Sequence, residues 1–89
     1  MKITMFYDPT TEQASVFNSL NQNTQREIVK AEPNTITKAF VICHSNYHIR
    51  IVYDKEQKKV FYWVDMKVKS LNIKDNREVI FDTETNTFN

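Results

Sequence analysis

The segment Cys43-His44-Ser45-Asn46-Tyr47-His48, with Asp65 further along, holds the residue types in this chain that most readily do chemistry. A thiol and two imidazoles so close together invite a metal site or a thiol nucleophile. A structural zinc site takes four ligands. If residues 35–44 and 47–54 are strands joined by a short turn at Ser45-Asn46, Cys43 and His48 stand opposite one another. His44 then points to the other face. Two neighbouring ligands remain, so no metal is expected. Cys43, His48 and Asp65 also have the types of a nucleophile, a base and an orienting acid. A lone cysteine in a strand, however, is more often a small buried hydrophobe. The next residue on that face is Arg50, and no oxyanion loop is visible. Catalysis needs a positioned constellation and a pocket. We therefore expect no catalytic residue and no cofactor, and the chain reads as non-enzymatic.

Composition narrows the remaining classes. A length of 89 residues fits a single small globular domain, 1–89, with a modest core. Twelve Lys and Arg stand against eleven Asp and Glu, for a formal net charge of +1. That balance argues against a strongly basic nucleic-acid binder and against an acidic nucleic-acid mimic. One cysteine excludes an internal disulfide framework and suggests a reducing, cytoplasmic setting. There is no apolar run of membrane-spanning length, so no membrane association is expected. The start, MKITMFYDPTT, lacks a small-residue cleavage site and does not read as a signal peptide.

Glycine is absent, where about six would be usual for this length. Turns must then be made by Asn, Asp, Pro, Ser, Thr or Lys, and every glycine-rich phosphate loop is excluded. Many Asn, Lys, Ile and Thr beside few Ala suggest an AT-rich genome, such as that of a phage or another mobile element.

The elements that would position these side chains follow from periodicity. Residues 1–7 read as a strand. Asp8-Pro9 has the form of a helix start, Asp as N-cap and Pro at the first helical position. Ala14, Val16, Phe17 and Leu20 fall near one helical face, which predicts a helix ending near residue 22. Residues 24–32 carry both a capping-box pattern and a strand-like Ile28-Val29, with strand preferred. From residue 35 onward the pattern is β: strands over 35–44, 47–54, 59–69 and 77–82, with a turn at 83–86 leading back to Phe88. Tyr7-Asp8, Tyr53-Asp54 and Phe81-Asp82 each place Asp after an aromatic at a strand end, read as turn chemistry. The expected fold class is α+β: one N-terminal helix packed on a mainly antiparallel sheet of about five to six strands.

Parity then divides the sheet into two faces. Tyr47, Ile49, Ile51 and Tyr53 share one face with Val60, Tyr62, Val64, Met66 and Val68. The matching register pairs Tyr53 with Val60, Ile51 with Tyr62, Ile49 with Val64 and Tyr47 with Met66. The other face pairs Asp54 with Lys59, Val52 with Phe61, Arg50 with Trp63 and His48 with Asp65, and each pair is chemically sensible. Across the Ser45-Asn46 turn, Ile42 meets Ile49 and Phe40 meets Ile51, which sets Ala39, Val41 and Cys43 on the second face. One helix covers one face. The second is covered by the chain's own termini, as in a small barrel, or it is left open.

An open face of this composition suits a protein interface: aromatics and Arg with a charged rim. The expected partner-binding residues are Trp63, Phe61, Arg50, His48, Val52, Lys67 and Lys69. The leading expectation is a small protein-binding module, an inhibitor or accessory protein of phage or mobile-element type, with a homo-oligomer as a further possibility. The alternative is a single-stranded nucleic-acid binder that stacks bases on Phe61 and Trp63 and places Arg50, Lys67 and Lys69 at phosphates.

Overall fold

The computed structural model describes residues 1–18, 27–29, 31–32, 37–44, 46–75 and 77–88. In chain order the strands are β1 (Lys2–Asp8), β2 (Gln13–Asn18), β3 (Glu27–Val29), β4 (Ala31–Glu32), β5 (Thr37–His44), β6 (Tyr47–Asp54), β7 (Lys59–Val64), β8 (Lys67–Asn72), β9 (Val79–Asp82) and β10 (Thr87–Phe88). A 3-10 turn, Ile73–Asp75, lies between β8 and β9. The strands build two five-stranded antiparallel sheets, ordered β10-β9-β1-β2-β3 and β4-β5-β6-β7-β8. They pack face to face as a sandwich around one apolar cluster.

The expected α+β class is overturned: no α-helix occurs among the described residues, and the predicted N-terminal helix is, where it is described, a turn over 9–12 followed by the strand β2. β2 pairs antiparallel with β1, Met5 opposite Val16 and Tyr7 opposite Ala14. Ala14 and Val16 are fully buried, two residues apart, which is the period of a strand. Asp8 does make a cap-like hydrogen bond, accepting from the Thr10 amide at 2.9 Å. The same bond closes a hairpin turn as readily as it starts a helix. Leu20 and the expected helix end lie outside the described residues. So do residues 24–26, while 27–29 and 31–32 are strand, as preferred. Val29 belongs to one sheet and Ala31 to the other, so the chain crosses between the layers at that edge of the sandwich.

Three hairpins share one device. Asp8, Asp54 and Asp82 end their strands and accept backbone N–H bonds from Thr10, Glu56 and Glu84 at 2.9–3.0 Å. Each turn has its left-handed residue immediately before the next strand: Glu12 (φ 54°), Lys58 (φ 54°) and Asn86 (φ 58°). Asn46 (φ 69°) and Asp65 (φ 52°) do the same service elsewhere. Without glycine these positions carry the cost of a Cβ in that region. Glu12 goes beyond the residue types expected for such turns.

The aromatic residue before each capping Asp enters the core. Tyr7 stacks on Tyr53 across the sheets at 5.0 Å and meets Phe40 at 5.7 Å. Phe81 meets Tyr47 of the opposite sheet and Phe88 of its own. Ile3, Met5, Val16 and Val79 of the first sheet and Ile49, Ile51, Val60, Tyr62 and Val64 of the second complete the interior. Each of the aliphatic side chains and Met5 contributes about 1.5–3 kcal/mol relative to exposure. At the rim, Glu12 of the first hairpin turn bonds Lys38 of β5, with Lys55 Nζ at 3.9 Å, tying one sheet to the other.

Candidate functional site

The pairing inferred from parity is present through β5, β6 and β7. Phe40 lies opposite Ile51, Ile42 opposite Ile49, and Cys43 opposite His48. Ile49 faces Val64, Arg50 faces Trp63, Ile51 faces Tyr62, Val52 faces Phe61, Tyr53 faces Val60 and Asp54 faces Lys59. The inward face of this sheet is buried by the first sheet rather than by a helix.

The pattern departs from expectation at Asp65. The anticipated single strand over 59–69 is two strands, β7 and β8, joined by a two-residue turn at Asp65-Met66. The His48 amide donates to Asp65 Oδ1 at 3.1 Å, and the Asp65 amide donates to the His48 carbonyl at 2.9 Å. His48 Nδ1 lies 3.5 Å from the same carboxylate oxygen. Tyr47 therefore does not pair with Met66, whose side chain is 90% exposed at the turn.

The fold-back changes which residues share a face. β8 returns beside β7 with Val68 opposite Trp63, Lys69 opposite Tyr62 and Lys67 opposite Val64. The expected placement of Lys67 and Lys69 on the aromatic face is thus corrected. They fall on the inward-facing side of an edge strand. Val68, expected in the core, joins the outer face instead and is 48% exposed.

None of the described residues covers the outer face, and its residues form cross-strand rows. One row runs Val41, Arg50, Trp63, Val68. The next runs Ala39, Val52, Phe61, Ser70. Below them lie Thr37, Asp54, Lys59 and Asn72, and above them Cys43, His48 and Asp65. The chain termini do not fold over this face, since β1, β9 and β10 belong to the other sheet. Trp63, Phe61 and Val52 are half-buried by their neighbours, while Val41, Cys43, His48 and Arg50 are exposed. Arg50, Val52, Phe61 and Trp63 line a shallow depression of about 260 Å³.

Of the seven sequence-predicted site residues, Trp63, Phe61, Arg50, His48 and Val52 share this face, and Lys67 and Lys69 do not. Val68 was missed. Its signal lay in strand length: β6 begins at Tyr47, so a strand continuing past residue 66 would have had no β6 partner. The arrangement offers a flat apolar surface with one guanidinium at its centre and acid-base pairs at its rim. Cys43 and the His48–Asp65 pair sit at its upper end, on the surface rather than in an enclosed pocket. No group of three or more potential metal ligands comes together among the described residues. No helix of the described residues is long and apolar enough to cross a membrane. No protein-family model matches the chain, and no curated protein or solved structure matches it.

Proposed function

We propose that this protein is a small non-enzymatic binding module that engages a protein partner through the open face of its second sheet, centred on Trp63, Phe61 and Arg50. An inhibitory or accessory role fits so small a scaffold. The observation that carries the reading is the unbroken row Val41, Arg50, Trp63, Val68 beside Ala39, Val52, Phe61, lying on a face that no part of the described chain covers. Large contiguous apolar patches on an isolated domain mark interaction sites. Trp, Phe and Arg in a shallow depression are the composition of an interface centre.

Single-strand nucleic-acid binding is the weaker alternative. It needs cations beside the stacking aromatics. With Lys67 and Lys69 turned to the other side, Arg50 and Lys59 remain, and Asp54 and Asp65 oppose them.

The test uses the only tryptophan. Trp63 emission and acrylamide quenching are recorded in the free protein, which is then titrated with single-stranded nucleic acid. In parallel, wild-type protein, Trp63→Ala and Arg50→Ala are used for affinity capture. The expected result is accessible Trp63, no saturable response to nucleic acid, and a captured protein lost from both variants while their folds persist. Capture unchanged in both folded variants overturns the proposal. A nucleic-acid response that falls steeply with salt supports the alternative.

A further inference from the structure

At both side edges of the sandwich the chain passes between the sheets, from β3 to β4 at one and from β8 to β9 at the other. At the second of these the sheet ends in β8, a six-residue strand. Antiparallel strands alternate between residues that exchange hydrogen bonds and residues that do not. Here the phase is set by two backbone bonds, Asp65 N–H to the His48 carbonyl and Ile73 N–H to the Lys58 carbonyl. Through them Lys67, Lys69 and Leu71 bond to β7. The backbone N–H and C=O groups of Val68, Ser70 and Asn72 therefore point away from the sheet. No proline or bulge interrupts this edge; the inward-facing Lys67 and Lys69 are charges that weaken pairing there without removing the unpaired N–H and C=O groups, which remain a template for a further strand.

We propose that the strand it takes is β8 of a second copy of this chain, antiparallel, with the two-fold axis at Ser70. Only a register that sets outward-pointing residues opposite one another satisfies both edges. Centred on Ser70, it pairs Ser70 with the second copy's Ser70 and Val68 with the second copy's Asn72. Each such pair exchanges two backbone hydrogen bonds. On the inward-facing side the same register sets Lys69 opposite Leu71 and Lys67 opposite Ile73. Shifting the axis to Lys69 would put two Lys69 side chains directly opposite, where like charges repel. The Ser70-centred register avoids that and leaves the two Lys69 side chains on a diagonal.

The consequence is a continuous sheet of both copies and a single outer face. The row Ala39, Val52, Phe61, Ser70 runs through the axis into the same row reversed, joining two open faces into one platform. This self-pairing does not depend on the face binding a partner protein, and the two can fail separately.

Sedimentation equilibrium over about a hundredfold range of protein concentration tests it. The average mass of wild-type protein should rise from monomer toward dimer, and should rise further when salt screens the diagonal Lys69 pair. Ser70→Lys, which sets two like charges at the axis, should remain monomeric with an unchanged fold. Ser70→Pro removes only an outward N–H and should do the same. Wild-type protein that stays monomeric throughout overturns the proposal. So does a dimer that survives Ser70→Lys, and loss of that dimer in Trp63→Ala would place the contact on the open face instead.

Discussion

The His48 amide donates to the Asp65 carboxylate at 3.1 Å and the Asp65 amide donates to the His48 carbonyl at 2.9 Å, locking β6 to the end of β7. This small lock decides the layout of the outer face. It ends β7, places Asp65 in the left-handed region at φ 52°, and sends β8 back along the sheet. Asp65→Asn keeps both the acceptor and a residue type tolerant of that conformation, and should change stability by less than about 0.5 kcal/mol. Asp65→Val combines a β-branched residue at positive φ with loss of the acceptor, and should cost about 2 kcal/mol or more. Urea midpoints of the two variants check this. Equal midpoints would mean that the turn does not hold the hairpin.

The open face and the core should respond differently to truncation. Phe81→Ala and Ile51→Ala remove fully buried side chains and should cost about 3–5 and 2–5 kcal/mol. Val41→Ala and Val68→Ala remove side chains that are each 48% exposed and should cost less than about 1 kcal/mol. Chemical denaturation of the four variants separates the cases. A large loss in either valine variant would mean that the face is covered in solution.

Tyr7 buries its hydroxyl with no hydrogen-bond partner among the described residues. An unsatisfied buried hydroxyl costs about 1–3 kcal/mol, so Tyr7→Phe should leave the protein as stable as wild type or more so. A clear loss of stability would reveal a bonded hydroxyl.

Burial pushes the Tyr62 phenol up to about 12 and raises that of Tyr7 further, with the Glu12 carboxylate adding to the effect on Tyr7. A raised phenol pKa favours the neutral form in the folded protein. The resulting stability is complete below pH 10 and is lost as pH rises toward 12, since the unfolded chain ionises first. Tyr62 alone accounts for about 3 kcal/mol of that loss. Denaturant midpoints at pH 8 and pH 11 should diverge in wild type and less so in Tyr62→Phe.

At the acid end the Glu12 carboxyl is held below its ordinary range, first by the hydrogen bond from Lys38 and then by the charges of Lys38 and Lys55. Its contribution is present above the usual carboxylate range and is lost as pH falls through the lowered value. Glu12→Gln should flatten that part of the acid profile while leaving the plateau near pH 7 little changed, because the pair is only part-buried at the rim and remains solvent-screened. An acid limb unchanged by Glu12→Gln would show that the clamp carries no linkage.

Side-chain alternation alone determined the pairing of β5, β6 and β7, because a one-residue slip would turn Ile49, Ile51, Tyr62 and Val64 out to solvent. It likewise determined that Trp63, Phe61, Arg50 and Val52 share a second face. Tertiary structure decided the rest. Residues 13–18 carry apolar groups compatible with both periods, and an Asp side chain bonded to the amide two residues on starts a helix or closes a hairpin equally well. What selects the strand is the edge of β1 beside it and the opposite sheet that buries Ala14 and Val16. The recurrence of aromatic-Asp at Tyr7-Asp8, Tyr53-Asp54 and Phe81-Asp82 already held the hint, since the other two sites close hairpins. The alternation Val64, Met66, Val68 likewise concealed the turn at Asp65. Only the length of β6 limits how far β7 can run, and that limit moved Lys67 and Lys69 off the open face and brought Val68 onto it.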